Sequence, residues 1–145
     1  MATSPTPVKA LAEELGIPVG HDVDDVLGLG ADLGIVVAFG QIIKPHVLAA
    51  VPMVNMHFSL LPRWRGAAPI ERALTAGDIE TGVCIMGVED TLDTGAVYAR
   101  AALPINDTDT ADDLRDALVD LGTSLLLDVV AGELPEPESQ VGEPT

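Results

Sequence analysis

Cations are scarce in this chain of 145 residues: seven Lys plus Arg stand against 23 Asp plus Glu, for a formal net charge of −16. A free-standing nucleic-acid binder shows a basic patch or stripe, so this balance argues against the piece gripping RNA unaided and favours long-range repulsion of phosphate backbones. Aromatics are only 3% of residues, which leaves Val, Ile, Leu, Ala and Met to build the core. The single cysteine, Cys84, excludes an intrachain disulfide and fits a reducing compartment. No charged-then-apolar leader opens the chain, whose start is small, polar and Pro-rich. The apolar runs fall far short of the roughly 20 residues a membrane helix needs. Together these features predict a soluble, cytoplasmic protein with no membrane partner.

What is present is apolar material for a core, 48% of residues. Thr6 and Pro7 open a helix whose face is Val8, Leu11, Ala12 and Leu15, and Gly16 stops it. Residues 17–19 are a short strand candidate, and 22–29 a brief helix. The run 34–40 is continuously apolar between glycines, the pattern of a strand buried on both faces in a parallel sheet. A helix over 45–50, a strand over 53–58 and a helix over 69–76 closed by Gly77 follow. Strands over 81–88 and 96–103 flank an acidic loop and are able to pair directly. Thr110 caps the last helix, with Asp112 and Asp113 at its positive dipole end and Leu114, Leu118, Leu121, Leu125 and Val129 on one face. Residues 135–145, rich in Pro and Glu and without periodicity, read as a linker or disordered tail after a core of 1–134. The alternation predicts an α/β fold, a mostly parallel sheet flanked by helices.

In such sheets ligands bind at the carboxyl ends of strands. Asn55 and His57, two apart on a strand, project to one face. An amide able to hold a developing oxyanion beside an imidazole able to move a proton suits carbonyl chemistry. Two polar residues satisfied at a strand end give the same pattern. Arg63, Trp64 and Arg65 follow, offering either anion contacts or pairing with surface carboxylates. The loop Glu89-Asp90-Thr91-Leu92-Asp93-Thr94-Gly95 is acidic, yet Asp-x-Gly is also an ordinary turn. His21, His46 and His57 are scattered and Cys84 lacks a partner, so no metal pattern emerges, and no P-loop or dinucleotide fingerprint is present.

Taken together, Asn55-Met56-His57-Phe58-Ser59-Leu60-Leu61-Pro62 resembles the N-x-H-x-S-L-L-P signature of folate-dependent formyltransferases, and Leu92-Asp93-Thr94-Gly95 their L-D-x-G loop. The spacing between His57 and Asp93 suits the family. The run Arg63-Trp64-Arg65-Gly66-Ala67-Ala68-Pro69-Ile70 is similar to the methionyl-tRNA branch, and Gly77-Asp78 and Thr81-Gly82-Val83 also fit. The resemblance covers residues 4–133. It implies a Rossmann-like formyltransferase domain and transfer of a formyl group from 10-formyltetrahydrofolate to the α-amine of methionine on initiator tRNA. It implies that Asn55 hydrogen-bonds the formyl oxygen, that His57 stabilises the tetrahedral intermediate and assists proton transfer, and that Asp93 orients or supports His57. The pterin is expected between Gly40-Gln41-Ile42-Ile43 and the 88–93 loop, against Ile43, Val88 and Leu92. Arg63 and Arg65 are the candidates for the acceptor's phosphates.

Against that pattern the chain begins at Thr3-Ser4-Pro5-Thr6-Pro7, just after the family's basic tRNA-touching loop, and stops at Pro144-Thr145, before a C-terminal tRNA-binding barrel. It is therefore expected to lack the family's first β-α-β unit, to expose a sheet edge and an apolar face, and to hold initiator methionyl-tRNA weakly. Phe58 replaces a small residue, and is expected either to crowd the site or to turn inward. The competing expectations are a formyltransferase acting on a smaller amine, such as an amino sugar nucleotide, and an inactive folate-binding fragment.

Overall fold

The computed structural model of the protein describes residues 5–145; Thr3 and Ser4, in the opening stretch and at the start of the resemblance, lie outside the described residues. In chain order the elements are α1 (Pro7–Glu14), a 3-10 helix (Val23–Gly28), β1 (Gly34–Val37), α2 (Pro45–Ala50), β2 (Met53–His57), α3 (Pro69–Ala76), β3 (Glu80–Gly87), β4 (Val97–Pro104) and α4 (Ala111–Val130). Residues 17–19 form no strand. The sheet runs β1-β2-β3-β4. Only β1 and β2 are parallel; β2–β3 and β3–β4 are antiparallel. The expected α/β sheet with helices on its faces is present, but it is mixed rather than mostly parallel. The loop between β3 and β4 is too short for a crossover, so that pair is antiparallel, and β2 and β3 are antiparallel although α3 lies between them in the chain.

Alternation along β2 sorts the core. Val54 and Met56 face α4, with Val83, Ile85 and Val129 in one buried cluster. The opposite face carries Met53, which packs with Ile43, Val47 and Val51 of the α2 region, and with partly buried Val23, Val26 and Val88. Asn55 and His57 lie on that second face, so the polar pair emerges beside an apolar support. Phe58 turns inward: it packs against both the α4-side cluster and the one built from Ile70, Leu114 and Leu118.

α4 begins with a reciprocal cap, Thr110 accepting from the Asp113 amide while the Asp113 carboxylate accepts from Thr110. That bonding holds the Asp113 carboxyl below its ordinary range. Gly122, in the middle of α4, would be unfavourable for helix propensity alone. It is required by close approach: a Cβ there would sit 2.5 Å from Met56 Sδ and 3.1 Å from Val83 Cγ2.

α4 packs on β3 and β4 and does not cover β1. The strand read as buried on both faces is thus half-exposed, with Ile35 51% and Val37 44% accessible. Among the described residues β1 has no strand partner on its outer side. α1 buries none of its residues, and its apolar face of Val8, Leu11 and Leu15 is open. No helix of the described residues is long and apolar enough to cross a membrane.

Candidate active site

β2 delivers the candidate pair to its C-terminal end in a fixed register. Asn55 lies between Val36 of β1 and Met86 of β3, and His57 lies across from Cys84. Burial pushes the Cys84 thiol above its ordinary range, and it packs with Leu61, Met86 and Val97 as a small apolar residue. His57 is 6% exposed. Its Nε2 donates to the Trp64 carbonyl at 2.9 Å. A carbonyl can only accept, so Nε2 carries hydrogen and Nδ1 is the ring nitrogen left for chemistry. Nδ1 lies 3.6 Å from Asp93 Oδ2, too far for a hydrogen bond but close for a charge interaction. The Asn55 carboxamide has no hydrogen-bond partner among the described residues, and the side chain is partly exposed on the same face.

Two loops converge on this pair. In 63–68, Trp64 and Ala68 have φ of +59° and +54°, and Gly66 has φ of +86°. Left-handed backbone costs roughly 1–2 kcal/mol for a residue with a Cβ, so this loop must be held from outside. Ser59 Oγ, fully buried, donates to the Arg63 carbonyl at 2.6 Å. Arg72 Nη1 donates to the Arg65 carbonyl at 2.7 Å, and the Gly66 amide donates to Asp93 Oδ2 at 2.7 Å. Asp93 is itself left-handed, φ +52°, a conformation Asp tolerates better than most residues. One Asp93 oxygen therefore serves two purposes, holding the loop at Gly66 and facing His57.

The two candidate arginines are placed differently. Arg63 grips Asp78 through two bonds, Nε to Oδ2 at 2.8 Å and Nη2 to Oδ1 at 2.6 Å, and stacks 4.3 Å from the Trp64 ring centre. Trp64 Nε1 donates to the same Asp78 at 2.8 Å, and Arg72 covers the ring at 4.7 Å. These bonds, with Arg63 foremost and against the opposing effect of burial, hold the Asp78 carboxyl below its ordinary range. Arg65 instead donates through Nε and Nη2 to Gln140 Oε1, at 3.0 and 2.8 Å.

The folate candidates also divide. Ile43 is 7% exposed and, with partly buried Val88, supports the loops from below. Ile42 and Leu92 are 83% and 66% exposed and offer open apolar surface, and Gly40 and Gln41, just before Ile42, are exposed as well. Lys44 and His46 both reach Asp24, at 3.4 and 2.8 Å, tying the 40–44 loop to the 3-10 helix. The His46 bond is the main reason the Asp24 carboxyl lies below its ordinary range. Among the described residues no three His, Cys, Asp or Glu side chains gather as a metal site.

Composition gave no sign of the remaining contacts. The 135–145 segment, expected as a linker or disordered tail, lies back across the site. Glu138 bridges Val97 of β4, Gln140 bonds the 93–95 turn, and Thr145 Oγ1 accepts from the Trp64 amide at 3.1 Å. A single extended bridge has no periodicity for a sequence pattern to reveal.

Compared with known proteins, residues 21–130 match the family model described as formyl transferase. A methionyl-tRNA formyltransferase of Roseobacter denitrificans is 47% identical over 94% of this chain and 50% of its own length. The chain thus spans about half the length of the curated relatives it matches. Among solved structures, a phosphoribosylglycinamide formyltransferase from Streptococcus pneumoniae superposes with a TM-score of 0.75 at 28% identity, over 86% of this chain and 78% of the other. A methionyl-tRNA formyltransferase from Clostridium thermocellum superposes with a TM-score of 0.74, over 94% and 63%, and at 18% identity it speaks for the fold alone.

Proposed function

The chain belongs to the formyl transferase family, and from that premise we propose that it carries the site that moves a formyl group from 10-formyltetrahydrofolate to the α-amine of methionine on initiator tRNA. The observation that carries the reading is the convergence at the end of β2: His57 Nδ1 lies 3.6 Å from Asp93, beside an Asn55 carboxamide with no partner among the described residues. The name borne by relatives at 45–48% identity favours methionyl-tRNA as the acceptor.

In this reading Asn55 donates an N–H to the formyl oxygen as negative charge develops there. His57 holds and moves a proton at Nδ1, because Nε2 is occupied by the Trp64 carbonyl. Asp93 supports the ring through charge. An amide nitrogen leaves poorly unless protonated, so delivery of that proton to the folate nitrogen belongs to the same step. The donor's fused ring is held against Ile42 and Leu92, whose side chains are open, with Ile43 and Val88 bracing the loops and Gly40 and Gln41 offering backbone and amide groups. Arg65 is better suited than Arg63 to the acceptor's phosphates, because the Arg63 charge is already matched by Asp78. Residues 1–134 are the catalytic core, and the reaction takes place in the cytoplasm.

The test is formyl transfer from 10-formyltetrahydrofolate, with charged initiator methionyl-tRNA and an amino sugar nucleotide as parallel acceptors and His57→Ala as control. Transfer to the tRNA that disappears in the control supports the reading. Transfer to the sugar amine alone replaces the acceptor, and folate binding without transfer to either leaves an inactive binding fragment.

A further inference from the structure

We propose that Gln140 is a positioning residue for Asp93, clamping the 93–95 turn to the 63–66 loop so that the carboxylate stays aimed at His57. Gln140 lies beyond residues 21–130 matched by the family model. Its placement follows from register. Glu138 and Val97 exchange both backbone bonds, each at 2.8 Å. In an antiparallel pair, moving two residues forward on one strand moves two back on the other, so Gln140 falls opposite Gly95.

Its carboxamide is then used completely. Nε2 donates to the Asp93 carbonyl at 2.8 Å and to the Gly95 carbonyl at 2.9 Å, while Oε1 accepts from Arg65 Nε and Nη2 at 3.0 and 2.8 Å. An amide offers two N–H donors on one atom and two lone pairs on the other, and all four are engaged here. The chemistry is specific to an amide. A carboxylate would keep the Arg65 contacts but set its other oxygen against two carbonyls. An aliphatic side chain would leave those carbonyls and Arg65 without this partner. The turn being held contains a left-handed Asp93, and such backbone persists only where surrounding bonds over-determine it. Gly95 adds to the constraint, since a Cβ there would overlap the Gly87 carbonyl. Asp93 is thus fixed from two directions: the Gly66 amide on its carboxylate and Gln140 on its carbonyl.

The kinetic part of the test rests on the formyl-transfer reading; the spectroscopic part does not. The full chain is prepared as wild type, Gln140→Leu, Gln140→Glu and Asp93→Asn, with ring-labelled histidine. Formyl-transfer kinetics and the His57 ring resonances are recorded for each. The expected result is a kcat lower by about 10- to 100-fold in both Gln140 variants, the scale of a small misplacement of a catalytic group. KM for donor and acceptor should change much less, and the His57 ring signals should move toward their Asp93→Asn positions. A Gln140→Glu enzyme with wild-type kcat overturns the proposal, since it keeps the Arg65 contact and replaces the donation to the turn with an oxygen set against its two carbonyls. Unmoved His57 signals in both Gln140 variants overturn it too, whether Asp93→Asn shifts those signals or leaves them in place. If the wild-type chain transfers no formyl group to any acceptor, the formyl-transfer reading falls, and the ring signals alone decide the role of Gln140.

Discussion

Replacing Asp93 with Asn, and separately with Ala, separates the two purposes of its carboxylate. At 3.6 Å, a unit charge acting on an imidazolium in a medium of effective dielectric about 20 contributes about 4–5 kcal/mol. Both side chains are mostly buried, 7% and 11% exposed, so solvent screens the pair only in part. Asn keeps a dipole at the same place, and roughly half of the charge interaction remains to be lost. A loss of about 2–3 kcal/mol at the transition state corresponds to a kcat about 30- to 150-fold lower. Asn also keeps an oxygen able to accept from the Gly66 amide and tolerates the positive φ. Ala does neither. It leaves a part-buried N–H without a partner, at about 1–3 kcal/mol, and loses the tolerance for a left-handed backbone that Asp and Asn share. Urea unfolding should therefore rank wild type and Asp93→Asn close together, with Asp93→Ala well below. Initial rates of formyl transfer should be low in both variants. An Asp93→Asn enzyme within threefold of wild type, or equal destabilisation by Asn and Ala, would refute the reasoning.

The Asp78 carboxyl is held below its ordinary range chiefly by Arg63. Its contribution to stability is present above the ordinary carboxylate range near 4 and is lost as pH falls through the depressed folded value. The gap in urea midpoint between wild type and Asp78→Asn should be widest at pH 7 and shrink at the acid end, and a gap that grows on acidification would contradict the pairing. Gly122→Val should lower unfolding free energy by about 1–3 kcal/mol by forcing Met56 and Val83 aside; a denaturation midpoint equal to wild type would show that α4 can back away. Leu118, 0% exposed between Ile70 and Leu114, should cost about 2–5 kcal/mol on change to Ala, measured the same way. Ile42→Ser should weaken binding of a stable folate analogue about tenfold, by roughly 1.4 kcal/mol of lost apolar contact. Unchanged affinity in a fluorescence titration would remove Ile42 from the donor's surface.

Much of the site was legible because β2 obeys a simple rule. Two-residue spacing put Asn55 and His57 on one face, and the structure keeps them there. The caps at Thr6 and Thr110 were readable from their hydroxyls and neighbours. The antiparallel pairing of β2 with β3 was not. Apolar continuity in β3 reflects burial beneath α4 on one side and the site loops on the other, and burial on both faces does not reveal strand direction. β1 misled in the opposite sense: Ile35 and Val37 are as apolar as core residues, yet α4 does not cover them. Arg63 and Arg65 looked equivalent in sequence. Their difference arises from Asp78 and Gln140, one in a turn after α3 and the other in a segment without periodicity. The identity of the His57 Nε2 partner, a backbone carbonyl, has no side-chain signature at all.

Trp64 is the sole indole of the chain, gripped at its N–H by Asp78, with the guanidinium groups of Arg63 and Arg72 stacked over its ring. Its own carbonyl accepts from the His57 ring. Intrinsic emission at indole wavelengths therefore originates from one place, in the residue whose carbonyl bonds the proposed proton-handling ring. The molecule carries a built-in optical probe: a ligand that displaces either guanidinium or shifts the 63–66 loop changes the colour or yield of that emission without any label being attached.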